Sequence, residues 1–395
     1  MFATPPDEIA RRVASLQARL AARDLDGALI SQNADLYYFA ATMQTSQLYV
    51  PTLGEPLLMT RKNFARATRE SPLPRIAQFG VIREMPDLLR DYGYSLPRRL
   101  GMELDVLPAA TYLALRELLE GPEVVDVSPD IRSIRSIKSE HEIGLLRGAA
   151  ELMRRMFAAV PSLLRPGMAE VELAGLIEAA ARREGHPGIV RMRYFNQEMF
   201  YGHVLSGANG AIPSLLDSPS GGQGMGASMP HGAGLKSIVP GEPVFVDLVA
   251  ANGGMVVDQT RIFALGSLPA DLIEAHRAML AVQRTIVEAM RPGAVAGDLY
   301  DLAVRTASDL GQAASFMGSG QDRVSFVGHG VGLEVNELPV IARGVRAVLA
   351  AGNVIAIEPK CFFPGRGAVG IENTWLVTET DTVRLTTTAD EIAIL

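Results

Sequence analysis

Pro243 to Phe263 reads PVFVDLVAANGGMVVDQTRIF, two apolar runs joined by Asn-Gly-Gly. Val244, Val246 and Leu248 alternate with Phe245 and Asp247, the period of a half-buried strand. Asn252-Gly253 is a strong hairpin signal, because a two-residue turn of that type needs positive φ at both positions. With that pair as the loop, Ala251 faces Gly254 and Asp247 falls directly opposite Asp258. Like charges directly opposite on a sheet are destabilising, and one of a crowded carboxylate pair takes up a proton unless something neutralises it. A bound cation removes the conflict. The plain alternative is another register, in which one Asp is an exposed strand-end residue.

Three more residues downstream have the chemistry to join such a site. His329 sits in Gly328-His329-Gly330, where the glycines let the backbone turn sharply and leave the imidazole accessible. Glu358 ends the apolar strand Val354-Ile355-Ala356-Ile357 and precedes Pro359, at the edge of a buried sheet where an unpaired charge is costly. Glu372 interrupts an apolar stretch between Ile371 and Trp375-Leu376-Val377. Each alone reads equally as a structural hydrogen bonder or a salt-bridged strand end. Together, four carboxylates and one imidazole form the oxygen-rich set that suits two divalent ions, Mn²⁺, Co²⁺, Fe²⁺ or Zn²⁺. Four negative charges balance two such ions, and a two-metal site of this kind performs hydrolysis.

Size and charge narrow the class. A chain of 395 residues is expected to form two domains. A net charge of −7 argues against a nucleic-acid surface and for a small peptide or small-molecule substrate. The start, MFATPPDEIARR, lacks a signal-peptide core, and no run is long enough to span a membrane, so a soluble, cytoplasmic protein without a membrane partner is expected. Cys361 is the only cysteine, which excludes intramolecular disulfides and thiolate-rich zinc sites.

Before the central stretch, Asp7 is positioned to cap a helix with Ile9, Val13, Leu16 and Leu20 on one face. A strand is expected at GALIS, and short strands and helices then alternate through LYYFA, LYVPT, EPLLMT, a helix after Asn63, and RRLGMEL, with a further helix near Ala109 to Leu119. A turn-rich Ser128-Pro129-Asp130 and a Ser139/Glu142 capping box mark a boundary. The expected division is an α/β domain over residues 1–135 and a catalytic domain over 136–395. A helix is expected from about Ala169 to Glu184, then a strand-like aromatic stretch GHPGIVRMRYFNQEMFYGH. Ser206 to Met229 is rich in Gly, Ser and Pro, a long loop suited to edging a site. Two helices, roughly Pro269–Met290 and Ala296–Ala313, follow the central hairpin.

In VDLVAANGGMVVDQTR, GHGVGLEVNELP, AIEP and GIEN the chain resembles the pita-bread metallohydrolases, which include methionine aminopeptidase, Xaa-Pro aminopeptidase, prolidase and the metal-free creatinase. YYFA, LGMEL and DVSPDIRSIRSIKSEHEI resemble the amino-terminal domain of the prolidase and creatinase branch. The resemblance implies an α+β pita-bread catalytic domain behind a smaller creatinase-type domain, and a homodimer. It implies that Asp247 chelates one metal, that Asp258 and Glu372 bridge both, and that His329 and Glu358 hold the other. Manganese is the first expectation for the ions. His231, in Met229-Pro230-His231-Gly232, matches the family's substrate-side histidine, and Glu358 doubles as proton shuttle.

Two positions depart from the family's peptidases. Asn336 stands where they usually carry a second histidine; it can donate a hydrogen bond to a substrate carbonyl but carries no proton to transfer. Gly370 stands where many proline-specific members have arginine. Arg191, Arg193, Tyr201 and His203 lie in a region that faces the active site in this family, and are either substrate-binding residues or an ordinary polar strand edge. The resemblance thus implies an Xaa-Pro peptidase of aminopeptidase or dipeptidase type. The alternatives are cleavage of a small non-peptide amide or C–N bond with the same metals, and a non-catalytic binding protein on this scaffold.

Overall fold

The computed structural model describes residues 4–215 and 218–395. Leu216 and Asp217, inside the expected 206–229 loop, and residues 1–3 lie outside the described residues. The chain forms two units. One holds the residues up to Arg135 together with Arg193–Phe195, the other Ser136–Met192 and Asn196–Leu395.

The first unit contains α1 (Pro6–Ala22), β1 (Gly27–Ile30), α2 (Asn33–Ala40), β2 (Ser46–Pro51), β3 (Leu57–Thr60), α3 (Phe64–Glu70), β4 (Ile76–Gln78), α4 (Met85–Asp91), β5 (Arg99–Met102), α5 (Ala109–Leu118) and β6 (Glu123–Asp126), with α6 (Ser128–Ser136) closing it. Its sheet runs β4-β3-β2-β1-β5-β6, with β1–β2 and β2–β3 antiparallel and the outer pairs parallel. Ile9, Val13, Leu16 and Leu20 of α1 are buried as the spacing predicts. Asp7, however, lies in the first turn behind Pro5, and its side chain is not the cap. LYYFA takes a helical place in the alternation. The Gln32 side chain accepts from the Asp35 amide and starts α2, so local capping overrides the aromatic β preference of Tyr37, Tyr38 and Phe39.

In the second unit Ser139 and Glu142 form the expected capping box at the head of α7 (Glu140–Leu163). Then come α8 (Glu170–Arg183), β7 (Gly202–Ser206), β8 (Val244–Asn252), β9 (Met255–Ala264), α9 (Ala270–Ala289), α10 (Ala296–Asp309), β10 (Phe326–Gly330), β11 (Glu337–Ala342), β12 (Val354–Ile357), β13 (Lys360–Phe363), β14 (Gly367–Gly370), β15 (Asn373–Val377), β16 (Thr382–Arg384) and β17 (Ala393–Ile394). Of the aromatic stretch expected to be strand-like, only its end enters β7. Three sheets form, in the orders β17-β9-β8-β7, β11-β10-β12-β15-β16 and β13-β14. Leu272, Met279, Val282 and Ile286 of α9 pack with Phe245, Ile262, Ile355 and Ile357 in one apolar core, which clamps the strands that carry the acidic residues.

The central hairpin forms one step away from its expected turn. Asn252 pairs with Met255, and Gly253-Gly254, with φ of +58° and +89°, make the loop. Asp247 therefore faces Thr260, and Asp258 faces Val249. A two-residue change of partner leaves every side chain on its original face, so the two aspartates remain on one surface as diagonal neighbours. Leu145 of α7 explains the choice. A Cβ at position 253 would come 2.8 Å from its Cδ2, while Asn252 donates from Nδ2 to the Leu145 carbonyl at 3.0 Å. The helix fixes Asn252 in the strand and leaves the two glycines to turn.

Candidate metal centre and active site

The site is assembled from five strands and the bends that follow them. Asp247 comes from the middle of β8 and Asp258 from β9. His329 comes from β10, next to a break in the β10–β11 register, the kind of irregularity that re-aims a side chain. Glu358 follows β12, and Glu372 joins β14 to β15. The glycines beside His329 serve strand contact rather than a sharp turn. A Cβ on Gly328 would lie 2.5 Å from the Ala356 carbonyl oxygen, and the imidazole is buried rather than accessible.

His329 Nδ1 lies 3.1 Å from the Gly330 carbonyl oxygen, which can only accept, so Nδ1 carries the proton. Nε2 then looks into a set of acceptors: Glu358 Oε1 at 3.5 Å, Asp258 Oδ2 at 3.9 Å and Glu372 Oε1 at 3.9 Å. Ligand atoms of Asp258, His329 and Glu372 all fall within 4.8 Å of one another, and all three side chains are buried. Asp258 Oδ1 and Glu372 Oε1 find no hydrogen-bond partner among the described residues. Buried acceptors converging with nothing to accept are costly, and a divalent ion is the partner this donor set fits. Without one, burial and then the neighbouring carboxylates hold Asp258 well above the usual carboxylate range, and burial pushes Glu372 up to about 8.

The same carboxylates face a second cation, and this one belongs to the chain. Lys360 Nζ donates to Glu358 Oε2 and Glu372 Oε2, each at 2.8 Å, and to Asp247 Oδ2 at 3.4 Å. Its side chain is 1% exposed, with the ammonium 5.6 Å from the Phe245 ring centroid. Burial works against the ammonium, but Asp247, Glu358 and Glu372 outweigh it and hold its pKa well above that of a free lysine. Glu358 and Glu372 each turn Oε1 toward His329 and Oε2 toward Lys360. Sequence reasoning missed this lysine. Its signal was a charged residue in the apolar segment Ile355 to Phe363, two positions after Glu358.

Thr260 and Arg261 were also missed, although both belong to the quoted DQTR. Thr260 Oγ1 donates to Glu372 Oε2 at 2.9 Å. Arg261, 2% exposed, donates to the Glu372 carbonyl at 2.9 Å and to Asn373 Oδ1 at 2.8 Å. Burial lowers its pKa to about 9. Together they lock the bend that presents Glu372.

The substrate-side candidates separate. His203 lies opposite Asp247 in the β7–β8 pairing, and burial pushes its pKa down to about 4. His231 stacks on Phe200, with ring centroids 5.5 Å apart, and Phe200 also lies 5.9 Å from His203. Neither histidine has a hydrogen-bond partner for either ring nitrogen among the described residues. Ser214 Oγ donates to the Pro230 carbonyl at 2.6 Å, tying part of the 206–229 loop beside His231. Asn336 is half-buried in the irregular stretch before β11. Arg193 is different. It groups with the first unit, where Asp35 and Asp105 grip its guanidinium at 2.9, 2.6 and 3.0 Å, so the expected substrate role is not met by its surroundings. Tyr201 packs on His186, with ring centroids 4.4 Å apart.

Comparison with known proteins accords with this geometry. The model of metallopeptidase family M24 matches residues 144–379, and that of the Creatinase/Prolidase N-terminal domain matches residues 12–137. The chain belongs to metallopeptidase family M24. It is 29% identical over 398 residues to the Probable dipeptidase PepE of Mycobacterium bovis, covering 98% of this chain and 96% of that one. It is 29% identical over 371 residues to the Xaa-Pro dipeptidase of Pyrococcus horikoshii, covering 93% and 94%. The crystal structure of the prolidase from Pyrococcus horikoshii superimposes with a TM-score of 0.80 at 27% identity, covering 96% of this chain and 99% of that one. The architecture is thus a creatinase-type amino-terminal domain followed by an M24 pita-bread domain. M24 membership implies divalent metal, and the group around His329 fits one. No helix among the described residues is long and apolar enough to cross a membrane.

Proposed function

We propose that this M24 protein is a metal-dependent hydrolase of the Xaa-Pro peptidase type, cleaving the bond before proline in short peptides. One observation carries the reading: His329 Nε2 and the oxygens of Asp258, Glu358 and Glu372 converge in a buried space where Asp258 Oδ1 and Glu372 Oε1 have no hydrogen-bond partner among the described residues. Asp258, His329, Glu372 and Glu358 would hold a divalent ion there, with Mn²⁺ favoured by the oxygen-rich set and Co²⁺, Zn²⁺ or Fe²⁺ also compatible. When bound, the ion supplies Lewis-acid polarisation of a carbonyl and acidification of water.

The chain's own groups do the rest. Glu358 takes a proton from the attacking water and returns it to the leaving nitrogen, and Lys360 donates to its Oε2. His231, its ring nitrogens unengaged, donates to the developing oxyanion, and His203 and the Asn336 amide orient the substrate. Thr260 and Arg261 hold Glu372 in place. The catalytic domain is the chain from residue 136 onward. The homodimer is supported by the family resemblance alone, and a cytoplasmic location is part of the same reading.

The test strips the protein of metal, restores Mn²⁺, Co²⁺ or Zn²⁺ in turn, and follows amino-acid release from Xaa-Pro dipeptides and longer Xaa-Pro peptides. Metal-dependent release is the expected result. A protein that holds metal yet releases nothing would move the reading to a small non-peptide amide, which Asn336 and Gly370 favour. A protein that binds no metal would remove both.

A further inference from the structure

The resemblance to two-metal hydrolases implies a second ion chelated by Asp247, but the position facing Asp247, Glu358 and Glu372 is filled by the ammonium of Lys360. We propose that Lys360 permanently replaces one of the two metals, so that this chain works with a single divalent ion at Asp258, His329, Glu358 and Glu372. The proposal rests on the metal-dependent reading above and deepens it.

Three observations support the replacement as built. An ammonium has three donors, and Lys360 aims them at three different carboxylates, at 2.8, 2.8 and 3.4 Å. A second ion would need Asp247 and Glu372, and the ammonium already engages both. The lysine stem is also accommodated by its partner strand. Lys360 pairs with Gly370 in the β13–β14 ladder, and a Cβ on residue 370 would come 2.6 Å from Lys360 Cα and 2.8 Å from its Cγ. The departure at Gly370 and the lysine are therefore linked: the position where many proline-specific members carry arginine has no side chain, and a cation enters from the residue across the ladder. Finally, the charges are consistent. Asp247, Asp258, Glu358 and Glu372 bring four negative charges, while one divalent ion and the ammonium bring three positive ones. A second divalent ion beside the lysine would overshoot to an excess of positive charge.

The experiment loads the full chain with excess Mn²⁺, removes unbound metal by gel filtration, and measures metal per chain by elemental analysis together with the EPR spectrum. About one ion per chain is expected, with the six-line signal of an isolated Mn²⁺. In Lys360→Ala, about two ions and an exchange-coupled spectrum are expected, and in Lys360→Arg the wild-type stoichiometry. About two ions in the wild type, or an exchange-coupled wild-type spectrum, would overturn the replacement while leaving the hydrolase reading intact. A folded Lys360→Ala that still takes a single ion would equally overturn it. Were that variant not to fold, the wild-type spectrum decides alone. A wild type that binds no ion would bring down the hydrolase reading as well.

Discussion

His231 is buried to 6% exposure with both ring nitrogens lacking a partner among the described residues. A histidine kept for stability is ordinarily tied by at least one hydrogen bond, as His186 and His276 are, to the carbonyls of Val249 and Asp390. An idle imidazole stacked on Phe200 is instead ready for a ligand. Because truncation breaks no native hydrogen bond, His231→Ala should keep its melting temperature within a few degrees while kcat/KM for Xaa-Pro cleavage falls roughly 10²-fold or more. An unchanged kcat/KM would remove His231 from the catalytic machinery. At this scale the sequence was legible where a residue type is unusual for its neighbours: histidine between glycines, a glutamate before proline, carboxylates in apolar strands. It was opaque where function depends on where a long side chain ends. Lys360 reaches three carboxylates through a flexible stem, and Arg193 turns to Asp35 and Asp105. Spacing along the chain states neither.

At the scale of the element, the β8–β9 hairpin joins the two aspartates to the core, and its turn is chosen by a helix. The alternation that made Asp247 and Asp258 share a face was readable, since a strand's period is two and survives the change of partner. The turn itself was not, because Asn252-Gly253 and Gly253-Gly254 are both competent loops and only Leu145 separates them. The same limit applies to LYYFA, which the alternation of strands and helices assigns to neither and the Gln32 cap makes helical. Gly253→Ala would place a Cβ at φ +58° and 2.8 Å from Leu145 Cδ2, whereas Gly241→Ala meets a similar φ, +85°, in open space. Both should lose about 1–2 kcal/mol for the left-handed backbone, with about 1 kcal/mol more at position 253 for displacing Leu145. Urea midpoints compare the two directly. Equal losses would mean that Leu145 yields freely and does not set the turn.

At the scale of the whole molecule, buried charge ties folding to metal. In the metal-free chain, burial and the neighbouring carboxylates raise Asp258 well above its ordinary value, and Glu372 reaches about 8. The folded state therefore binds protons that the unfolded chain, with carboxylates titrating at about 4–4.5, has already released. Their contribution to stability is fully present below the unfolded value and is lost as pH rises toward 8. His203 acts in the opposite sense. Its folded pKa, near 4, lies below the ordinary value of 6.5, so it costs stability only as pH falls through that interval. Above pH 6.5 the imidazole is neutral in both states and the carboxylates alone set the slope. Metal-free protein should accordingly lose on the order of a few kcal/mol between about pH 6.5 and 8, seen as a fall of roughly 5–10 °C in melting temperature. Saturating Mn²⁺ should flatten that slope, because the ion stabilises the ionised carboxylates and competes with their protons. A metal-free melting temperature that is level across this window, or that rises with pH, would show that Lys360 already neutralises the cluster and that no divalent ion is needed to hold it together.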